Sequence, residues 1–271
     1  MSHLREHWAE NGLLWLSASQ LNAGGAVHGF STRLGGVSRG CLASLNLGTG
    51  RGDEIANVRE NFRRFGDAVG FDSRKTVFSK QVHRDEIRVV TAEDCGKGLY
   101  REREYEADGL ITNVPGVPLA VFSADCIPIL LHDPVCRAVA GCHAGWRGTA
   151  MGIARKTVEE MIRQYGCCPR DIRAVIGPGI SRCCFETHID VPEAMWLAFG
   201  QKAEAMIDPL PDEKFLVDLK GLNALWLQCA GVPKEQIELS DACTSCRQDL
   251  FWSHRHTGDA RGVMAAVIQL I

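Results

Sequence analysis

Nine histidines and twelve cysteines in a chain of 271 residues make metal ligation and thiol chemistry the first things to look for. Three of them stand at the ends of short apolar runs: His83 in Lys80-Gln81-Val82-His83, Cys126 in Ser123-Ala124-Asp125-Cys126, and His143 in Ala140-Gly141-Cys142-His143. Side chains at three strand ends can converge on one point. Two imidazoles, one thiolate and an open fourth position form a donor set for catalytic zinc. The separations of 43 and 17 residues match no local motif. Taken singly, each residue therefore keeps a plainer reading, as a satisfied structural histidine or a small core cysteine. The same trio would also serve a Cys–His hydrolase or deamidase, with Cys126 as nucleophile and a histidine as base. Asp125, next to Cys126, is a candidate general acid or base, or a hydrogen-bond partner that orients a histidine. Beyond His143, the run Ala144-Gly145-Trp146-Arg147-Gly148 reads as a Gly-rich turn opening a helix. Backbone N–H groups there, with Arg147, favour an anion.

The other cysteines are less telling. Cys243-Thr244-Ser245-Cys246 is a CxxC, but a zinc ribbon needs a second such pair and the sequence has none, so structural cysteines are expected. Cys167-Cys168 and Cys183-Cys184 are vicinal pairs, read as buried small residues or metal-adjacent thiols. The apolar stretch Leu13-Leu14-Trp15-Leu16 is too short for a secretory h-region. Reduced thiols and a cytoplasmic location are therefore expected.

The elements that must position these groups follow from periodicity. Apolar runs at 26–32, 76–82, 86–91, 119–124, 127–132, 138–143, 172–176, 215–219 and 262–270 predict strands. Apolar stripes predict helices over 57–69, 149–165 and 220–230. Strands and helices are interspersed with no linker between them. That predicts one α/β domain spanning 1–271, with a large mixed sheet or two sheets and a flexible segment at 1–12. The charge of -3 gives no sign of a nucleic-acid binder. No apolar run reaches the roughly 20 residues of a membrane helix.

Seven segments carry a resemblance: His28-Gly29-Phe30-Ser31-Thr32-Arg33-Leu34-Gly35-Gly36-Val37-Ser38, Ser44-Leu45-Asn46-Leu47-Gly48, Lys80-Gln81-Val82-His83, Asp108-Gly109-Leu110-Ile111-Thr112, Ala124-Asp125-Cys126, His143-Ala144-Gly145-Trp146-Arg147-Gly148 and Ile176-Gly177-Pro178-Gly179-Ile180. With the closing Phe251-Trp252-Ser253-His254-Arg255, they resemble in order the YfiH family, also called laccase-domain-containing or polyphenol oxidase proteins. The resemblance implies a four-layer α/β/β/α fold shared with a toxin deamidase domain. It implies zinc on His83, Cys126 and His143. It also implies phosphorolysis of adenosine, inosine and methylthioadenosine, with adenosine deamination beside it. Purine nucleosides and phosphate are then the partners, and a monomer is expected. Some members carry the label of peptidoglycan editing factor. In this context Arg33 becomes a candidate for phosphate or substrate, and Asn46 for a ribose hydroxyl or base edge. Their plainer readings are a surface charge and a turn-former. Cys184 falls where the family carries a cysteine and would line the pocket or pack in the core. The chain departs from the pattern at Arg84, where a glycine is usual, and at Asp259-Ala260 before Arg261, where Thr-Gly is common. Both departures put substrate preference in doubt more than metal binding. The oxidase label implies four coppers held by about ten histidines. This chain has one His-X-His pair, His254-Arg255-His256, so copper is not favoured; that pair is read as a charged loop at the site mouth.

Overall fold

The alternation of side chains along the strands explains the architecture. In a computed structural model describing residues 4–21 and 24–271, one face of each central strand is apolar toward one neighbour layer and the other face toward the next. A five-stranded antiparallel sheet runs β1 (Arg5–Trp8), β2 (Leu14–Ser17), β3 (Ala26–Ser31), β14 (Met264–Leu270), β6 (Leu119–Ser123). A six-stranded mixed sheet runs β13 (Ile237–Leu239), β9 (Arg173–Ile176), β7 (Ile127–Asp133), β8 (Ala138–Ala144), β5 (Gly109–Thr112), β4 (Ile87–Val89). Only its outer pairs, β13 with β9 and β4 with β5, are parallel. A small antiparallel sheet joins β10 (Glu186–Thr187), β12 (Lys214–Val217) and β11 (Ile207–Leu210).

Three apolar layers lie between four structural ones. Val58, Phe62 and Phe65 of α1 (Ile55–Val69) meet Ala120, Ala265 and Val267 on the outer face of the first sheet. Phe30, Val121 and Ile268 from that sheet's inner face meet Leu130, Val139 and Val175 from the second sheet. The second sheet's outer face, with Ile129, Ala140 and Ile176, packs on Ile153 and Met161 of α3 (Ile153–Tyr165) and Leu222 of α5 (Leu219–Cys229). This is the expected α/β/β/α sandwich. The other α-helices among the described residues are α2 (Trp146–Ala150), α4 (Asp190–Phe199) and α6 (His254–Thr257).

Three local expectations change. The 149–165 helix is two helices, because Gly152 between α2 and α3 sits at φ 79, a left-handed conformation that interrupts the helix. Residues 76–82 make only isolated bridges, Val77 to Leu119 and Lys80 to Glu106, instead of a strand. The segment read as flexible holds β1, paired with β2 from Arg5↔Ser17 to Trp8↔Leu14. His7 in β1 stacks on Trp15, with ring centroids 4.2 Å apart; residues 1–3 of that segment lie outside the described residues. Among the described residues, no helix is long and apolar enough to cross a membrane.

Candidate active site

Strand register brings the ligand candidates together. In the β7–β8 pair, Ile127 lies opposite Ala144, so Cys126, just before β7, faces Gly145, just after β8. In the β5–β8 pair, Gly109 lies opposite Cys142, which sets Asp108 beside His143. His143 N–H donates to the Asp108 carbonyl at 2.8 Å. His83 sits in the bend that leads to β4. The ligand atoms of His83, Cys126 and His143 lie within 4.8 Å of one another. The His83 and His143 rings meet edge to face at 4.9 Å.

Gly145 leaves space at the base of this cluster. A Cβ there would lie 3.0 Å from His83 Cδ2 and 3.1 Å from Cys126 Sγ. Two non-glycine residues at the site hold positive φ, His83 at 60° and Asp125 at 94°. Such conformations cost on the order of 1–3 kcal/mol and persist where the surroundings enforce them. The enforcing group for His83 is Asp108. Its carboxylate accepts the backbone N–H groups of Val82 (3.0 Å), His83 (3.1 Å) and Arg84 (2.9 Å), and His143 Nδ1–H at 2.8 Å. Burial opposes ionisation of Asp108, but the His143 hydrogen bond and these donors keep its carboxyl below the usual range. Asp108 thus fixes one imidazole tautomer, leaves Nε2 of His143 for a ligand, and positions His83. Burial would push the Cys126 thiol up; the charge and hydrogen bonds of His143, then His83, bring it down instead. Burial would likewise lower His143, but Cys126 and Asp108 raise it.

The cluster opens onto a cavity of about 330 Å³. Trp146, Ile180, Phe185 and Leu219 give it apolar walls, and the other side is lined by His254 and by the cationic Arg255 and Arg261. Arg261 Nε is buried without a hydrogen-bond partner, while one terminal nitrogen donates to the Gly262 carbonyl at 3.1 Å. Burial, then the charge of Arg51, pulls its guanidinium below the ordinary arginine value.

The other sequence candidates have different placements. Asp125 lines the cavity, but its carboxylate accepts Thr244 Oγ1–H (2.6 Å), Ser253 Oγ–H (3.1 Å) and Arg255 N–H (2.6 Å). It ties two C-terminal loops to the site, and the histidine-orienting role falls to Asp108. Arg33 is not brought to the cavity wall: it donates to the carbonyls of Gln248 (3.0 Å) and Ala43 (3.1 Å) and stacks over Trp252 at 3.8 Å. Asn46 is fully buried, and its side chain joins Gly48, Asp53 and Val263, so the turn-forming reading is the one realised. Arg147 is exposed, with its guanidinium 4.2 Å over the Trp146 ring. Cys184 lies behind the wall, and its carbonyl accepts from Arg255 at 3.1 Å. The Cys243–Cys246 motif does have a second pair, because the fold brings Cys183 and Cys184 to it.

Asp108, Arg255 and Arg261 are the site residues that sequence reasoning passed over. Asp108 and Arg255 stood inside the family-like segments, and Arg261 beside a departure from the pattern. Their placement depends on strand register and loop return, which spacing does not encode.

Known proteins are similar to this chain along nearly its whole length. Residues 27–271 match the model of the family described as multi-copper polyphenol oxidoreductase laccase. The chain is 37% identical to "Purine nucleoside phosphorylase YlmD" of Geobacillus stearothermophilus, covering 94% of this chain and 93% of that protein. It is 34% identical to "Adenosine deaminase RL5" from an unknown prokaryotic organism, covering 86% of this chain and 89% of that one. The crystal structure of the Bacillus licheniformis hypothetical protein YfiH superposes with a TM-score of 0.91 at 35% identity, covering 98% of this chain and 99% of that one. With that coverage in sequence and in structure, the chain belongs to the YfiH/YlmD family, whose model carries the laccase description.

Proposed function

We propose that this chain is a zinc-dependent purine nucleoside phosphorylase acting on adenosine, inosine and methylthioadenosine, with adenosine deamination as a second activity of the same cavity. The supporting observation is that the His83–Cys126–His143 cluster shares one cavity with aromatic walls and two arginines. The names of the relatives agree with it. The donor chemistry fits zinc. Two imidazoles and a thiol drawn toward the thiolate face one point, one imidazole is oriented through its other nitrogen, and Gly145 leaves the space. When bound, zinc supplies Lewis-acid catalysis.

The chain's own residues supply the rest. Trp146 and Phe185 offer flat apolar surfaces for a purine ring. Phosphorolysis also needs an anion held near the sugar. Arg261, half-buried with a free Nε–H, and Arg255, held by its bonds to the Cys184 and Glu186 carbonyls (3.1 and 2.8 Å), form a preorganised positive wall. In this reading Arg147 stiffens Trp146, and the phosphate sits at Arg261 and Arg255. His254 on the same wall carries a proton to or from the base. Asp125, its carboxylate saturated, clamps the loops that carry Thr244 and Ser253.

The test is a panel of the three nucleosides with and without phosphate. Base release that requires phosphate, and ammonia release from adenosine that does not, are the expected results. Chelation of the metal should abolish both. Base release without phosphate, or no turnover of any nucleoside, would reject the proposal.

One observation favours a second reading, a Cys–His hydrolase: Cys126, His143 and Asp108 stand in the order nucleophile, base, orienter. Alkylation by iodoacetamide separates the two. Zinc should protect Cys126 in the purified protein, and only metal removal should expose it. Rapid alkylation of zinc-loaded protein would favour the hydrolase.

A further inference from the structure

Sixty residues apart in sequence, two cysteine pairs meet beside the cavity wall. The Sγ atoms of Cys183, Cys184, Cys243 and Cys246 all lie within 4.8 Å of one another. Cys183 and Cys184 are 3.8 Å apart, Cys183 and Cys246 3.7 Å, and Cys184 and Cys246 3.3 Å. A tetrahedron of sulfurs about 2.3 Å from a zinc ion has edges of about 3.8 Å. The 3.8 and 3.7 Å separations match that figure, the 3.3 Å one is shorter, and all exceed a disulfide bond of about 2.05 Å.

The backbone around Cys243 presents donors to its sulfur. The backbone N–H of Ser181 donates to Cys243 Sγ at 3.4 Å, and those of Ser245 and Cys246 are directed at the same atom. Lys220, buried beneath the cluster, donates to the carbonyls of Ser240 (3.0 Å) and Ala242 (2.7 Å) and to Ser181 Oγ (3.0 Å), and its charge acts on Cys243. Asp218 and Asp241 also act on this ammonium, and a thiolate at Cys243 adds to its stabilisation. Cys183 and Cys246 are exposed and border a second cavity of about 350 Å³, which gives an ion an entry path.

We propose that Cys183, Cys184, Cys243 and Cys246 bind a second, structural zinc ion that clamps the 181–186 loop to the 243–247 loop. Binding releases the four thiol protons to solvent and leaves a zinc–tetrathiolate unit of net charge -2, part of which the Lys220 ammonium offsets. The clamp matters because both loops support the active site. Phe185 and Arg255 form its wall, Arg255 donates to the Cys184 and Glu186 carbonyls, and Thr244 donates to Asp125.

The test is metal counting on the full chain, purified without added chelator or reductant, by elemental analysis and native mass spectrometry. Wild type should carry two zinc ions, and the His83→Ala/His143→Ala variant should keep one. X-ray absorption of that variant should show an all-sulfur shell near ~2.3 Å. Cys183→Ser/Cys246→Ser should lose one ion and keep the other. A wild type with one zinc, bound through nitrogen and sulfur and unaffected by the cysteine substitutions, would overturn the proposal and leave the active-site reading intact. Disulfides among the four cysteines in freshly isolated protein would overturn it too. Loss of the active-site ion alone would instead count against the proposed function.

Discussion

Asp108 organises the candidate site, since one carboxylate sets the His143 tautomer and holds the 82–84 backbone in which His83 takes its positive φ. Asp108→Asn should therefore weaken zinc binding about 10- to 100-fold, measured by competition with a colorimetric chelator, while all three ligands remain. Unchanged affinity would show that the ligands orient themselves. The two arginine placements give a second test. Arg261→Met should suppress phosphate-dependent base release from inosine by at least ~100-fold, the scale for losing one preorganised charge contact, and spare ammonia release from adenosine. Arg147→Ala should change both activities only slightly, because its guanidinium rests on Trp146. If Arg147→Ala abolishes phosphorolysis and Arg261→Met does not, the anion site belongs at the helix-opening turn after all. His83, Cys126 and His143 were legible in the sequence because polar residues of ligand type closed apolar runs and stood in family-like segments. Asp108 was not, because an aspartate before a strand reads as an ordinary boundary residue until register places it beside His143.

At the scale of elements, the strands β3, β6, β7, β8, β9 and β14 and the helices α1 and α5 follow the apolar patterning to within a few residues. The failures have local causes. The pattern at 149–165 continues smoothly across Gly152, but that residue's φ of 79° ends one helix and starts another. Gly152→Ala should destabilise the protein by about 1 kcal/mol, read from urea denaturation. The cost comes from backbone conformation, since a Cβ there would make only ordinary contact with Trp226 at 3.5 Å. A neutral or stabilising result would mean that the two helices can merge. The strand β1 escaped notice because Arg5–Trp8 is polar and mostly exposed, held by backbone pairing with β2. The fourfold cysteine cluster escaped because its pairs are of different spacing, one vicinal and one CxxC, and only the fold brings them together.

For the whole molecule, sequence patterning reached an α/β domain with one or two sheets, and the four-layer order came through the family resemblance. Patterning cannot pair sheets, because an apolar strand face does not state which layer it meets. The interface between the sheets also holds two histidines. His132 on β7 is fully buried with neither ring nitrogen hydrogen-bonded, and His28 on β3 faces it. Burial first, then Arg173 for His132 and His132 itself for His28, lowers both to about 4 from 6.5. The unfolded chain therefore binds protons that the folded chain refuses as the pH falls from 6.5 toward 4. Stability should be full above pH 6.5 and drop through that window by on the order of a few kcal/mol. His132→Leu should flatten the loss and raise the melting temperature at pH 5, checked by thermal melts across pH; an unchanged slope would refute the assignment. Transfer of a nucleoside's sugar to phosphate, the proposed reaction, is tested by identifying the sugar product. Inosine turned over by zinc-loaded wild type in phosphate buffer should yield hypoxanthine and ribose 1-phosphate in equal amounts by mass spectrometry. Free ribose, or inosine left intact, would contradict it.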